Sequence, residues 1–281
     1  MGDPWSIEAW AKWPGYLALI AGMGAAVTLA LPGEARGTAL GTKATRLARI
    51  AGAVGVVAIM LRAVAHAATI DGLAGAFDLD TLRLVVVDSR WGGSWRWHAA
   101  TAVTVALASL RLARGRHLAP YALALTAAVI VAPWLGHGAG SVWRGALHSA
   151  HLAGTGAWLG TVVVLALVAR GTARTEAASS LTPVIARFSP WALACATLAF
   201  ASGIVLAWTY LGGFAALADT TYGRVLLVKL ALVAGIGLCG AINWRGVRQG
   251  NAPKAGLIQS EAVLAVLAIA VTAWLSETEH P

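Results

Sequence analysis

Long apolar runs alternate with short polar connections along almost the whole chain. Eight runs stand out, at residues 16–31, 50–70, 97–112, 118–135, 146–169, 190–211, 225–243 and 257–275. They are rich in Ala, Leu, Val and Gly and unbroken rather than alternating, a pattern of helices and not of barrel strands. Each approaches the roughly 20 residues that cross a bilayer as a helix. In hydrocarbon every backbone polar group must be paired within the structure, which leaves helices as the spanning element. The pattern predicts an all-α, polytopic membrane helix bundle of about eight transmembrane helices, with the lipid bilayer as its first partner.

The connections differ in charge. Those on one side hold Arg36, Lys43, Arg46, Arg49, Arg111, Arg114, Arg116, Arg170, Arg174, Arg187, Arg245, Arg248 and Lys254 against Glu34 and Glu176. Those on the other hold Lys12, Arg83, Arg90, Arg96, Arg144 and Arg224 against Asp3, Glu8, Asp71, Asp78, Asp80, Asp88, Asp219, Glu277 and Glu279. The positive-inside rule makes the first side cytoplasmic and puts both termini outside. The opening carries Trp5, Trp10 and Trp13 with Asp3 and Glu8 instead of a basic region, so the first run is expected to stay as a membrane helix.

Composition agrees with the pattern. The 281 residues are 58% hydrophobic and 12% charged, against about 25% charged in a soluble domain. The net charge of +9 comes in short groups between apolar runs, which reads as topology and not as a nucleic-acid surface. No nucleophile–base constellation or phosphate-cradling loop is present, so no enzyme is expected.

Six of the seven histidines, His66, His98, His137, His148, His151 and His280, fall at the outer ends of runs or beyond the last one; His117 lies inside. His148 and His151 are three apart, so a helix stacks them on one face. His137 follows Pro133, whose missing N–H should open the backbone there. Neutral imidazoles at a helix mouth form a site for copper, zinc, nickel or iron. Taken singly, each is also accounted for as an interfacial residue with a water or carbonyl partner. Capture of such a metal ion by His137, His148 and His151, with His66 and His98, is one reading. A haem-binding cytochrome ligated by two of His66, His98 and His151 is the alternative.

Other polar groups lie within the runs. Lys229 and Glu261 must face the bundle interior or reach out of it, and with Tyr222 they are candidates for a polar lining. Cys195 and Cys239 fall at similar depth toward the cytoplasm, either as an inner thiolate site or as small packing residues. DSRWG at 88–92 and DTTYG at 219–223 precede the third and seventh runs, the pattern of a parallel four-plus-four duplication. The halves would be 1–135 and 136–281.

The second half resembles the CopD copper-resistance domain of bacterial inner-membrane proteins. The resemblance is carried by Arg187-Phe188-Ser189, Gly203, Thr221-Tyr222-Gly223-Arg224 with Lys229, Asn243, Glu261 and Leu275-Ser276-Glu277-Thr278 with Pro281. Gly136-His137-Gly138 and His151 with Trp158-Leu159-Gly160 are similar to two further family elements. His148 has no counterpart in that pattern, and methionine is scarce. The resemblance implies a copper-handling protein of the inner membrane, transport toward the cytoplasm and a small periplasmic copper-binding partner.

Overall fold

In the computed structural model, residues 7–31, 38–112, 117–136, 140–170 and 174–280 are described, with side chains omitted for 174–180. Every regular element among them is helical. The helices are α1 (Ile7–Ala30), α2 (Ala39–Gly75), α3 (Leu79–Arg83), α4 (Arg90–Leu110), α5 (Leu118–Val131), α6 (Val142–Ala169), α7 (Arg174–Leu211), α8 (Ala216–Asp219), α9 (Thr221–Arg248) and α10 (Ala255–Leu275).

Among the described residues seven helices are long and apolar enough to cross a membrane, counting α5 with the 3₁₀ turn Ala132–Leu135 that continues it. The eighth expected span lies in α4, which has the length but begins with Arg90, Trp91, Trp95, Arg96, Trp97 and His98. Its polar first turns lower its average hydropathy, while the run from Ala99 onward stays apolar. The chain is a multi-pass membrane protein.

Local chemistry sets where the helices stop. In α2 the backbone breaks at Asp71 and Gly72, where Gly72 adopts a φ of 70°, a conformation that favours glycine. The stretch around Pro133 tightens into the 3₁₀ turn and ends at Gly136, as expected where proline removes a helix donor. Ser89 and Thr220 cap α4 and α9 by accepting from the N–H groups of Gly92 and Gly223 at 2.8 and 3.0 Å. Both glycines are pressed onto the preceding short element, where a Cβ would strike the carbonyls of Val85 and Val86 or of Ala216.

The packing falls into two like sets. α1, α2, α4 and α5 surround one another in the first half, and α6, α7, α9 and α10 do so in the second. The halves meet chiefly through α1 and α6, with α10 against α1 and α5 against α6. At the α1–α6 crossing Gly24 lies directly on Gly160, backbone to backbone. Small residues allow this approach, which supplies dispersion contacts where lipid offers no hydrophobic drive. α6 is the central helix, 67% of its apolar stretch being buried against 17% for α7 and α9. The exposed Leu193, Ile204, Leu227 and Leu238 of these outer helices face the bilayer.

The two ends of the bundle carry different chemistry. At one, Lys43 Nζ donates to Leu167 O at 2.7 Å, Arg49 to Leu112 O at 3.1 Å and Arg170 to Gln259 at 2.6 Å. At this arginine end Lys43 and Arg49 thus satisfy carbonyls that helix termini leave open, while Arg170 reaches the end of α6 through Gln259, whose amide donates to Ala166 O at 2.7 Å. The opposite, histidine end is where α1, α4, α6 and α9 begin and α2, α7 and α10 finish.

Candidate functional site

α6 presents His148 and His151 one turn apart at the histidine end of the second half. His151 Nδ1 lies 2.8 Å from Ala199 O of α7 and therefore donates to it. In the neutral imidazole that assignment leaves the lone pair on Nε2. Ser202 supports the arrangement: its hydroxyl donates to Leu198 O at 2.6 Å and reaches Ala199 O at 3.2 Å. Gly203 makes room for the ring, since a Cβ there would stand 3.0 Å from His151 Cε1.

His148 Nε2 is 2.8 Å from the hydroxyl of Tyr210, near the end of α7. Tyr210 stacks on His280, with ring centroids 4.3 Å apart and planes inclined by 17°. Tyr222 of α9 meets the same imidazole edge-on at 4.9 Å and 75°. Lys229 follows Tyr222 by seven residues, two turns along the same face of α9. Two histidines of α6, two tyrosines, Lys229 and His280 therefore form one assembly between α6, α7 and α9. Burial, followed by the Arg144 charge, holds the His280 imidazole below its ordinary pKa.

Residues 276–280, which follow α10, fasten this assembly to the first half. Glu277 forms an ion pair with the buried Lys12 of α1, and Ser276 Oγ is 3.5 Å from Lys12 Nζ. Beside it, His66 Nδ1 donates to Glu8 Oε1 at 2.7 Å and the ring stacks on Trp91 at 4.2 Å. This second assembly is built on Glu8, Lys12, His66 and Trp91 of the first half, with Glu277 reaching it from the second.

His98 occupies a third place. It lines a cavity of about 60 Å³ between α1, α2, α4 and α5, together with Lys12, Tyr16 and Arg62. Its Nδ1 is buried and has no partner among the described residues. Arg62 donates to Leu135 O at 3.3 Å.

The predicted residues are thus divided between the halves. His148, His151, Lys229 and Tyr222 come together; His66 and His98 sit in the other half, among the cations Lys12 and Arg62. His137 lies outside the described residues. Cys195 and Cys239 are free, half-buried thiols on α7 and α9. Among the described residues no group of three or more His, Cys, Asp or Glu side chains is arranged to hold a metal. Glu261 is buried on α10, toward the arginine end.

Tyr210, the His280 sandwich, the Glu8–His66 pair and the Lys12–Glu277 pair were not among the predicted site residues. Their signal in the sequence was weak: acidic and basic residues on the same side, with nothing to say which would meet.

Residues 182–275 match the family model described as Copper resistance protein D, and residues 1–146 match that of the Copper resistance protein D-like N-terminal domain. No curated protein and no solved structure matches the chain.

Proposed function

Since the chain belongs to the copper resistance protein D family, of copper-resistance membrane proteins, we propose that it moves copper ions across the bacterial inner membrane through its second half. The histidine end faces the periplasm, both termini lie on that side, and the arginine end is cytoplasmic. His148 and His151 take the ion, with His137 as a further ligand at the mouth, and transport runs toward the cytoplasm. A small periplasmic copper-binding protein is the expected donor. The first half (1–135) and the second (136–281) are read as a parallel duplication, supported by the matching caps and glycines at Ser89–Gly92 and Thr220–Gly223.

One observation carries the reading: two imidazoles one turn apart on an interior helix, each fixed by a partner, with His151 Nε2 left to donate. Imidazole suits copper, which binds most tightly among the first-row divalent ions. Lys229 opposes a cation here. The site therefore suits passage better than storage, because conduction needs binding weak enough to release.

The test is copper titration of the detergent-purified protein beside a His137→Ala/His148→Ala/His151→Ala variant, followed by copper flux into liposomes. Stoichiometric copper in the wild type and at least a tenfold weaker affinity in the variant is the expected result. Equal binding by both proteins removes these histidines from the path. A Soret band would revive the haem alternative, which no geometry here favours. Zinc added as competitor reads the selectivity.

A further inference from the structure

Beyond the histidines, the second half holds a buried carboxyl that nothing in the bundle uses. Glu261 is 6% exposed and sits six residues inside α10, about 9 Å along the axis at 1.5 Å per residue. Its carboxyl rests in a notch on α9 made by Gly240, where a Cβ would stand 3.1 Å from Oε1. No hydrogen bond or ion pair joins it to another described residue, and its oxygens are not among the fully enclosed unpartnered atoms of the bundle.

One turn along α9 from that notch is Asn243, itself 5% exposed. Its Oδ1 accepts from the Lys254 N–H at 2.9 Å, which fixes the amide and leaves Nδ2 as the surplus donor. Nδ2 is buried and has no partner among the described residues. An unused carboxyl and an unused amide donor thus lie on adjoining turns of two packed helices. Ordinary packing removes such groups, because a buried polar atom without a partner costs free energy.

The titratable groups of the surrounding elements do not neutralise Glu261. On α9 these are Cys239, next to Gly240, with Arg245 and Arg248 toward the arginine end and Lys229, Arg224 and Tyr222 toward the other; on α10 itself, Lys254 opens the helix. At the end of α6, Arg170 is engaged with Gln259. The described part of α1 carries no charged residue at this end.

We propose that Glu261 is a proton-binding site whose occupancy is coupled to copper passage, an inference that rests on the transport reading above. With no cation nearby, the carboxyl holds its proton, since an isolated carboxylate at this depth is disfavoured. When copper enters the second half from the histidine end, its charge favours the ionised form. The carboxyl O–H bond breaks, the proton passes to water at that end, and the Asn243 amide donates to the carboxylate. Departure of the ion at the arginine end lets the carboxyl take a proton from water there, so the proton moves opposite to copper. No electron moves, and one proton is exchanged for each ion.

The experiment uses the whole protein in liposomes, with copper ions on one side, the potential clamped by valinomycin and potassium, and copper and pH read together. Copper flux accompanied by an opposite proton flux is expected in the wild type. Glu261→Gln is expected to lower the proton flux per copper ion at least tenfold while copper titration of the histidine site stays unchanged, and Glu261→Asp to retain coupling. Copper flux without proton movement in the wild type overturns this inference and leaves the transport reading standing. Coupled flux that persists in Glu261→Gln also overturns it. A wild type that moves no copper removes both. Because the wild type alone reads the coupling, poor accumulation of a variant does not protect the proposal.

Discussion

At His151 the placement of the ring depends on a residue that has no side chain. The ring keeps its Nδ1–H on Ala199 O only because Gly203, one turn along α7, leaves space beside Cε1. Gly203→Val fills that space and displaces the imidazole from its carbonyl partner. The lost hydrogen bond is worth about 0.5–1.5 kcal/mol, so copper affinity should fall between about two- and tenfold. Copper titration in detergent measures this, and unchanged affinity would show that His151 is not held in the way described. The pair His148 and His151 was legible in the sequence because spacing alone puts residues three apart on one helical face. Gly203 and Tyr210 were not, since their roles arise from how α7 lies against α6, and no local pattern encodes that crossing. His66 shows the converse: its position at an outer helix end was readable, but Glu8 and Trp91 claim both its edge and its face.

Among the elements, α4 and α9 begin in the same way. A hydroxyl caps the helix, and the glycine three residues later is pressed onto the short element before it. The five-residue matches at 88–92 and 219–223 are therefore physical statements: a cap, and a glycine where backbone meets backbone. Gly223→Ala has no flexible neighbour to push aside, because the obstructing atoms are the carbonyl oxygens of Ala216 and Leu217 and the Leu217 Cα. It should cost about 1–3 kcal/mol, the usual range for overpacking. Thr220→Ala should cost about 1 kcal/mol through loss of the cap. Thermal unfolding in detergent checks both, and a Gly223→Ala protein as stable as the wild type would mean that α8 does not press on α9. The helices themselves were readable from apolar run length. The polar opening of α4 was not assigned to its span, because Arg and Trp at an interface look like connection until the cap at Ser89 shows that the helix has already begun.

For the molecule as a whole, residues 276–280 matter because they touch both halves, through Glu277 on Lys12 and through His280 between Tyr210 and Tyr222. The sequence placed His280 on the same side as the other histidines, yet which half it would meet depends on the route taken beyond α10. Its docking should depend on pH, with a definite sign. His280 has a lowered pKa when docked, through burial first and the Arg144 charge second. The undocked segment therefore binds more protons than the docked one, so acid favours release. Docking is at full strength above the ordinary imidazole value, about 6.5, and weakens as pH falls through it toward the lower docked value. Amide hydrogen exchange at residues 276–280, corrected for the intrinsic pH dependence, should show protection at pH 8 and less at pH 5. His280→Ala should flatten that difference in the window around pH 6.5. Protection that is equal at both values in the wild type would mean that the imidazole is not what holds the segment in place.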